Sequence, residues 1–364
     1  MQEQLNKPIF VVGSPRSGTS ILTWCLRQHP NIFLVDESTG IGELALALAV
    51  CYQTKMGLRP DSLWTAMNVK QEEFFAAFGQ TINELIQRHK VDLERKSWEQ
   101  NFSTNVPPHG FVAEKAGRDS KARWVDGTPV YSFHISGLRK LFPDAQFIHI
   151  VRDVTSVVRS MVNFHRLAGV SLVANEQEAY DYWFRTVSAC LLAEQAYGPV
   201  VVFRLQYSEL VNQSEASLRA LLDFLGEPYA AECLTPLRER INSSNVPADF
   251  KLGDPESDPA VIERATQLYA QIETFPQPSE TSRVAAHKME TEFYQRAQYF
   301  ATLDSEFVKT HARVERLAEE IQRKRATIRA LQARRGRHKL RQFVFGQDVV
   351  AWLRRKSSQK CAKN

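Results

Sequence analysis

Apolar and polar positions follow two different rhythms in this chain. From Pro8 to about residue 275, short continuous apolar runs alternate with segments of helical spacing. Ile9-Phe10-Val11-Val12, Gln146–Val151 (QFIHIV) and Val200–Leu205 (VVVFRL) are rich in β-branched residues. Such runs predict strands buried on both faces. Trp124-Val125 closes a further short extended run, and Asn31–Gly40 reads as a loop or short extended piece. Helices are predicted over Thr19–Gln28, Ile41–Gln53, Ser62–Lys90 (apolar face Phe74, Phe75, Phe78, Ile82, Leu85, Ile86), Val130–Phe142 and Val154–His165. Three more follow over Tyr180–Tyr197, Ser214–Leu225 with its stop at Gly226, and Pro259–Ile272. Buried strands alternating with helices predict an α/β fold, a parallel sheet with helices on both faces. Ligands of such sheets bind beyond the carboxyl ends of the strands.

The rhythm changes at Phe275-Pro276-Gln277-Pro278-Ser279-Glu280, which reads as a linker. Beyond it Val314, Leu317, Ile321, Ile328 and Leu331 recur in steps of three and four, with Lys324 at one seam position. That spacing fits either a coiled coil of about three heptads or one amphipathic helix packed on the body. The expected domains are a body over 1–275, a linker over 276–284, a helical or coiled-coil extension over 285–335 and a basic tail over 336–364.

Charge sharpens this division. The formal net charge is +5, yet Lys309 to Asn364 holds 17 Lys and Arg against 4 Asp and Glu, a net of +13, leaving −8 for the remainder. A basic extension on a mildly acidic body is a signal about partners rather than fold. It admits self-association through the heptads, docking to an acidic polymer or contact with a membrane surface; no nucleic-acid partner is expected. No apolar run is long enough to span a bilayer, and the first strand begins within ten residues, so no signal peptide is expected. Five scattered cysteines without C-x-x-C spacing point to reduced thiols in a cytoplasmic protein and to no metal site.

The candidate chemistry starts in Gly13-Ser14-Pro15-Arg16-Ser17-Gly18, between the first strand and the helix from Thr19. Loop N–H groups and the positive end of a helix dipole form an anion cradle there. Gly13, Gly18 and Ser20 have the spacing of a nucleotide P-loop, but Thr19 stands where the lysine belongs and Arg16 is the loop's cation. A phosphate-like group fits this loop better than a magnesium nucleoside triphosphate.

GSPRSGTS with the following helix and His29-Pro30 resembles the 5′-phosphosulfate loop of sulfotransferases that use 3′-phosphoadenosine 5′-phosphosulfate (PAPS). FIHIVRDVTSVVRSM resembles their 3′-phosphate motif, and Tyr207-Ser208-Glu209-Leu210-Val211 with the next helix resembles their Y-E-D-L-V segment. The resemblance covers roughly residues 8 to 250 and is strongest to the tyrosylprotein and bacterial branch. It implies a P-loop-like fold and a metal-free transfer of the sulfuryl group of PAPS to a hydroxyl or phenol. Arg16, Ser17, Gly18, Thr19 and Ser20 are then expected to hold the 5′-phosphosulfate, and Arg152 and Ser160 the 3′-phosphate. Tyr207 either contacts adenine or caps a strand. Glu37 is carried over as general base, with Asp36 as a neighbour able to raise its pKa; Glu43 is a weaker alternative.

Two departures stand out. Relatives carry a lysine before Thr-Pro, where this chain reads Asp126-Gly127-Thr128-Pro129, leaving Lys115 or Arg16 to take that role. An arginine one turn after the serine is also missing, with Arg166 near but out of register. His29, His134 and His149 lack metal-ligand spacing and read as structural groups. The rival functions are a P-loop kinase and a non-enzymatic scaffold acting through its basic extension. Saccharide, lipid, small-molecule and peptide acceptors all stay open, because acceptor pockets fall in the variable stretches Cys51–Gly110 and Leu167–Gln177.

Overall fold

The computed structural model describes residues 7–53, 63–95, 121–164, 171–238, 246 and 250–361. Lys115 and Arg166 lie outside them, as do residues 54–62, 96–110 and 167–170 of the two stretches assigned to the acceptor. The chain forms two units, Met1–Phe300 and Ala301–Asn364.

The first unit is built on a five-stranded sheet. Its strands are β1 Ile9–Val12, β2 Ile32–Val35, β3 Arg123–Asp126, β4 Gln146–Val151 and β5 Val202–Gln206. Their spatial order is β2-β3-β1-β4-β5, and every pairing is parallel. Helices α1 Thr19–Arg27, α2 Gly40–Cys51, α3 Leu63–Ala66, α4 Gln71–Arg88, α5 Ile135–Leu141, α6 Val154–Val162 and α7 Glu176–Tyr197 fill the connections. After β5 come α8 Tyr207–Asn212, α9 Ser214–Leu225, α10 Thr235–Arg238, α11 Pro259–Thr274 and α12 Arg283–Cys361.

Alternation along β1 divides the core. Phe10 and Val12 point into one cluster with Phe33, Trp124, Phe147 and the buried sides of α2, α4 and α5. Ile9 and Val11 point into a second with Leu22 and Leu26 of α1 and Leu218, Leu221 and Leu222 of α9. Both faces are therefore covered, which is why the strands read as continuous apolar runs.

Three expectations change. Asn31–Gly40 contains a full strand, β2, whose four residues are all buried. The helix expected over Val130–Phe142 is divided into a 3₁₀ turn, Pro129–Phe133, and α5. Ser132 sits in that turn and bonds both the N–H and the C=O of Gly13, tying it to the loop after β1. The helix expected over Ser62–Lys90 is divided into α3 and α4; Phe74 and Phe75 are buried, whereas Phe78 and Leu85 are exposed.

The stretch read as a linker is hydrogen-bonded to the sheet edge. The Gln277 amide donates to Val202 C=O and accepts from Arg204 N–H, as a further strand would. The first turns of α12 belong to this unit, with Ala285, Met289, Phe293 and Ala297 buried in its core. In the second unit α12 continues to Cys361 with its described side chains largely exposed. Among the described residues no helix is long and apolar enough to cross a membrane.

Candidate active site

All five strands are parallel, so the loops after β1, β2, β3 and β4 and the start of α8 share the carboxyl edge of the sheet. The loop after β1 turns back on itself through Ser17 N–H to Ser14 C=O, 3.1 Å. Arg16 sits there at φ 70°, the left-handed region, which costs a residue with a Cβ about 1–2 kcal/mol. Gly18 follows at φ 106° as the N-cap of α1 and provides no capping side chain. The first N–H groups of α1 have no intrahelical acceptor, and they and the helix dipole favour an anion. The Ser17 hydroxyl is buried without a hydrogen-bond partner among the described residues. A buried orphan of this kind calls for a ligand, and an anionic oxygen would satisfy it.

Arg16 also joins the first motif to the second. Its Nε donates to Ser160 Oγ on α6 at 2.9 Å, across 144 residues of sequence. Its guanidinium lies 5.1 Å over the Phe164 ring. Arg152 at the end of β4 reaches back to Arg16 C=O at 3.4 Å and stacks 4.4 Å over Tyr207. Asp153 caps α6 by accepting from Ser156 N–H at 2.9 Å. Trp183 Nε1 holds the Arg152 carbonyl at 3.3 Å. The third motif closes the rim through the Tyr207 ring. A Cβ on Gly18 would fall 2.6 Å from that ring, so the loop needs glycine for space as well as for its backbone angle. Arg16 and Arg152 each lower the cost of holding a polyanion, and their mutual repulsion adds to burial in lowering the pKa of Arg16.

Glu37 follows β2 on the same edge. It is exposed by surface area, yet partial desolvation raises its pKa, opposed by the charge of Arg16 and assisted by Asp36. Burial is thus the leading cause and the neighbouring carboxylate the lesser one. Glu43 lies in the first turn of α2.

Sequence reasoning missed the network that fixes the Glu37 loop. Ser38 Oγ donates to Asp126 Oδ2 at 2.7 Å and accepts from the Tyr131 hydroxyl at 3.0 Å. Thr128 gives Asp126 Oδ1 both its N–H (2.9 Å) and its hydroxyl (2.6 Å). Asp126 is fully buried, and desolvation pushes its pKa up to about 7 against those bonds. The polar turn Asp126-Gly127-Thr128-Pro129 after an apolar strand was the available signal. Gly127 has its own packing reason: a Cβ there would lie 2.5 Å from the Thr23 methyl of α1. A lysine at this position would displace Thr23, which accounts sterically for one departure noted above.

The histidines are structural. His29 is buried, takes Asn31 N–H on Nδ1 and donates from Nε2 to Pro228 C=O at 2.9 Å. His134 lies beside Arg296, and burial lowers its pKa to about 4. His149 pairs with Glu194 at 2.5 Å, and Arg204 holds the same carboxylate.

The fold and this rim define a parallel α/β protein with two guanidinium groups and a helix N-terminus gathered at the carboxyl edge of its sheet. A model of the sulfotransferase family matches residues 8–231, and the chain belongs to that family. It is 26% identical over 226 residues to protein-tyrosine sulfotransferase 1 of Danio rerio, covering 61% of this chain and 53% of that protein. It is 30% identical over 106 residues, 27% of each chain, to omega-hydroxy-beta-dihydromenaquinone-9 sulfotransferase Stf3 of Mycobacterium bovis. The chain thus spans about half or less of the length of these two curated relatives. Among solved structures, sulfotransferase STF9 of Mycobacterium avium is 20% identical with a TM-score of 0.40, covering 77% of this chain and 79% of that one. That likeness is too distant to add to the fold described above.

Proposed function

We propose that the protein transfers the sulfuryl group of PAPS to a hydroxyl or phenol oxygen, releasing adenosine 3′,5′-bisphosphate. The observation that carries this reading is the Arg16–Ser160 bond, which draws the loop after β1 and the start of α6 together beside Arg152 and Tyr207. One rim then presents two guanidinium groups, a helix N-terminus and the orphan Ser17 hydroxyl, a donor set suited to two separated phosphate groups. PAPS supplies an activated sulfuryl group; positioning and charge stabilisation are what the protein must add.

In this reading Arg16, Ser17 and the N–H groups of Gly18, Thr19 and Ser20 take the 5′ end, where negative charge grows on the leaving phosphate oxygen. Arg152 and Ser160 take the 3′-phosphate, and Tyr207 borders the base. Glu37 accepts the acceptor's proton as the new S–O bond forms and the S–O bond to the phosphate breaks. Its raised pKa brings it nearer the value a base needs at neutral pH. Cys25, Cys190 and Cys233 are unpaired thiols, which fits a reducing, cytoplasmic setting.

Calorimetric titration with adenosine 3′,5′-bisphosphate, beside ATP with Mg²⁺, tests the donor class on wild type and Arg152→Ala. Binding of the bisphosphate that is lost in the variant, with none for ATP, is the expected result. ATP binding without bisphosphate binding would replace this reading with a kinase. Binding of neither would leave a scaffold.

A further inference from the structure

We propose that residues 303–331 of α12 form a parallel, in-register, two-stranded coiled coil with the same segment of a second copy of this chain. The segment is helical throughout. Its large apolar side chains fall on one seam in steps of three and four. Phe307, Val314, Ile321 and Ile328 occupy one seam position of the heptad, and Leu303, Leu317 and Leu331 the other. Each is between 45% and 69% exposed. The seam thus runs over four heptads, about one more than the sequence spacing alone marks out.

The distribution of residue types identifies the occupant. β-Branched residues at the first seam position with leucine at the second is the pattern that favours two parallel strands over three or four. Val314, Ile321 and Ile328 stand at the first, Leu303, Leu317 and Leu331 at the second. Two polar residues, Thr310 and Lys324, interrupt the leucine position. In register they face themselves. A slip of one heptad sets Lys324 against Leu317 or Leu331, so the interruptions select the register. The Lys324 ammonium stays at the flank, 2.6 Å from Glu320, while its stem lines the seam.

Charge agrees with the parallel arrangement. In a parallel pair each residue just before the first seam position faces the residue five further on in the other strand. That sets Glu320 against Arg325 of the second copy, an attractive pair, and Glu306 against His311. Arg335 occupies the next seam position. There like charge meets like charge in the two copies, so the pairing ends at Leu331.

Sedimentation equilibrium on the full chain tests this. The wild type is expected at twice the chain mass, and the double variant Leu317→Asp, Ile321→Asp at the single mass with the melting of the first unit unchanged. Glu320→Arg should weaken association about tenfold, and adding Arg325→Glu should restore it. Leu303→Cys, in a background with Cys51→Ser and Cys361→Ser, should oxidise to a disulfide-linked pair, which an antiparallel dimer would not allow. A monomeric wild type, a dimer that survives both aspartates, a trimer or tetramer, or no crosslink through residue 303 would each overturn the proposal.

Discussion

Arg123, at the amino edge of the sheet, bonds through all three of its side-chain nitrogens. It donates to Lys7 C=O, Leu225 C=O, Gln146 Oε1 and Glu227 Oε1, at 2.7 to 3.0 Å, and so ties β1, β3, β4 and the end of α9 together. Among the described residues Arg16, at the carboxyl edge, uses only Nε, on Ser160, and Arg152 makes one long bond of 3.4 Å to a carbonyl. The first arginine is satisfied by the protein itself. The other two keep donors for something else, and Arg16 holds a strained backbone to do so. One edge is tied together by its own bonds; the opposite edge is the one proposed above to bind. Unspent donors, an orphan hydroxyl and a left-handed non-glycine residue support that reading without reference to any relative.

The strongest way to break this contrast is to exchange the losses. Arg123→Ala leaves Glu227 buried without its cation, which should cost about 3–5 kcal/mol and lower the melting temperature by roughly 10 °C. Arg16→Ala should change stability by less than about 1 kcal/mol, because exposed or unspent donors contribute little. It should lower sulfuryl transfer by roughly 10³-fold, the scale for losing a group aimed at developing charge. Thermal unfolding and turnover measured on both variants decide the matter. Equal loss of melting temperature in the two would end the distinction.

The next test uses pH. Asp126 has a pKa of about 7 in the folded chain, because burial disfavours its charge, against roughly 4 when unfolded. Between those values the folded state keeps a proton that the unfolded state has released. The stabilisation is therefore complete below about pH 4 and is lost as pH rises through about 7. Asp126→Asn should flatten that fall, measured by urea unfolding across the window. Glu37 shifts in the same direction and leaves a smaller residual slope. An unchanged slope would show that Asp126 ionises as an ordinary carboxylate.

These residues also show how much the sequence could tell. QFIHIV and Ser214–Leu225 are observed over the residues their patterns predict, one as β4 and the other as α9. Each has an unmistakable period and a firm stop, Gly226 at φ 71° for the helix. β2 reads ambiguously because its four apolar residues run directly into Asp36-Glu37-Ser38, without a glycine stop like Gly13 after β1. The motifs place Arg16, Arg152 and Ser160 on one edge of the sheet. Which of them bond one another is a matter of side-chain direction, and Arg16 to Ser160 spans 144 positions. The Ser38–Asp126–Tyr131 network was illegible for the same reason. Where the chain leaves the body was hidden too, because the proline-rich stretch from Phe275 looks like a linker although Gln277 completes the sheet edge.

A smaller effect tests whether the carboxyl edge is sterically closed behind its donors. Gly127→Ala brings a Cβ within 2.5 Å of the Thr23 methyl. The overpacking should cost about 1–3 kcal/mol. Thr23→Ser removes that methyl and keeps the hydroxyl bond to Ser20 C=O, so the double variant should recover most of the loss. If Gly127→Ala is neutral alone, Thr23 does not guard this position.

The smallest effect separates strain from charge at Arg16 itself. Arg16→Ala and Arg16→Gly remove the same guanidinium, so both should bind adenosine 3′,5′-bisphosphate equally poorly. They differ in the backbone. Alanine keeps a Cβ at φ 70°, whereas glycine occupies that region at no steric cost. Relief of about 1–2 kcal/mol is offset by glycine's larger entropy loss on folding, about 0.5–1 kcal/mol. Glycine should therefore be the more stable variant by roughly 0.5–1 kcal/mol, read as a difference in urea midpoint at equal slope. That sign matters more than its size. A more stable variant that no longer binds would show that the loop carries its strain to aim Arg16. A less stable one would mean the loop gains nothing from release, and the contrast between the two edges would then rest on hydrogen bonding alone.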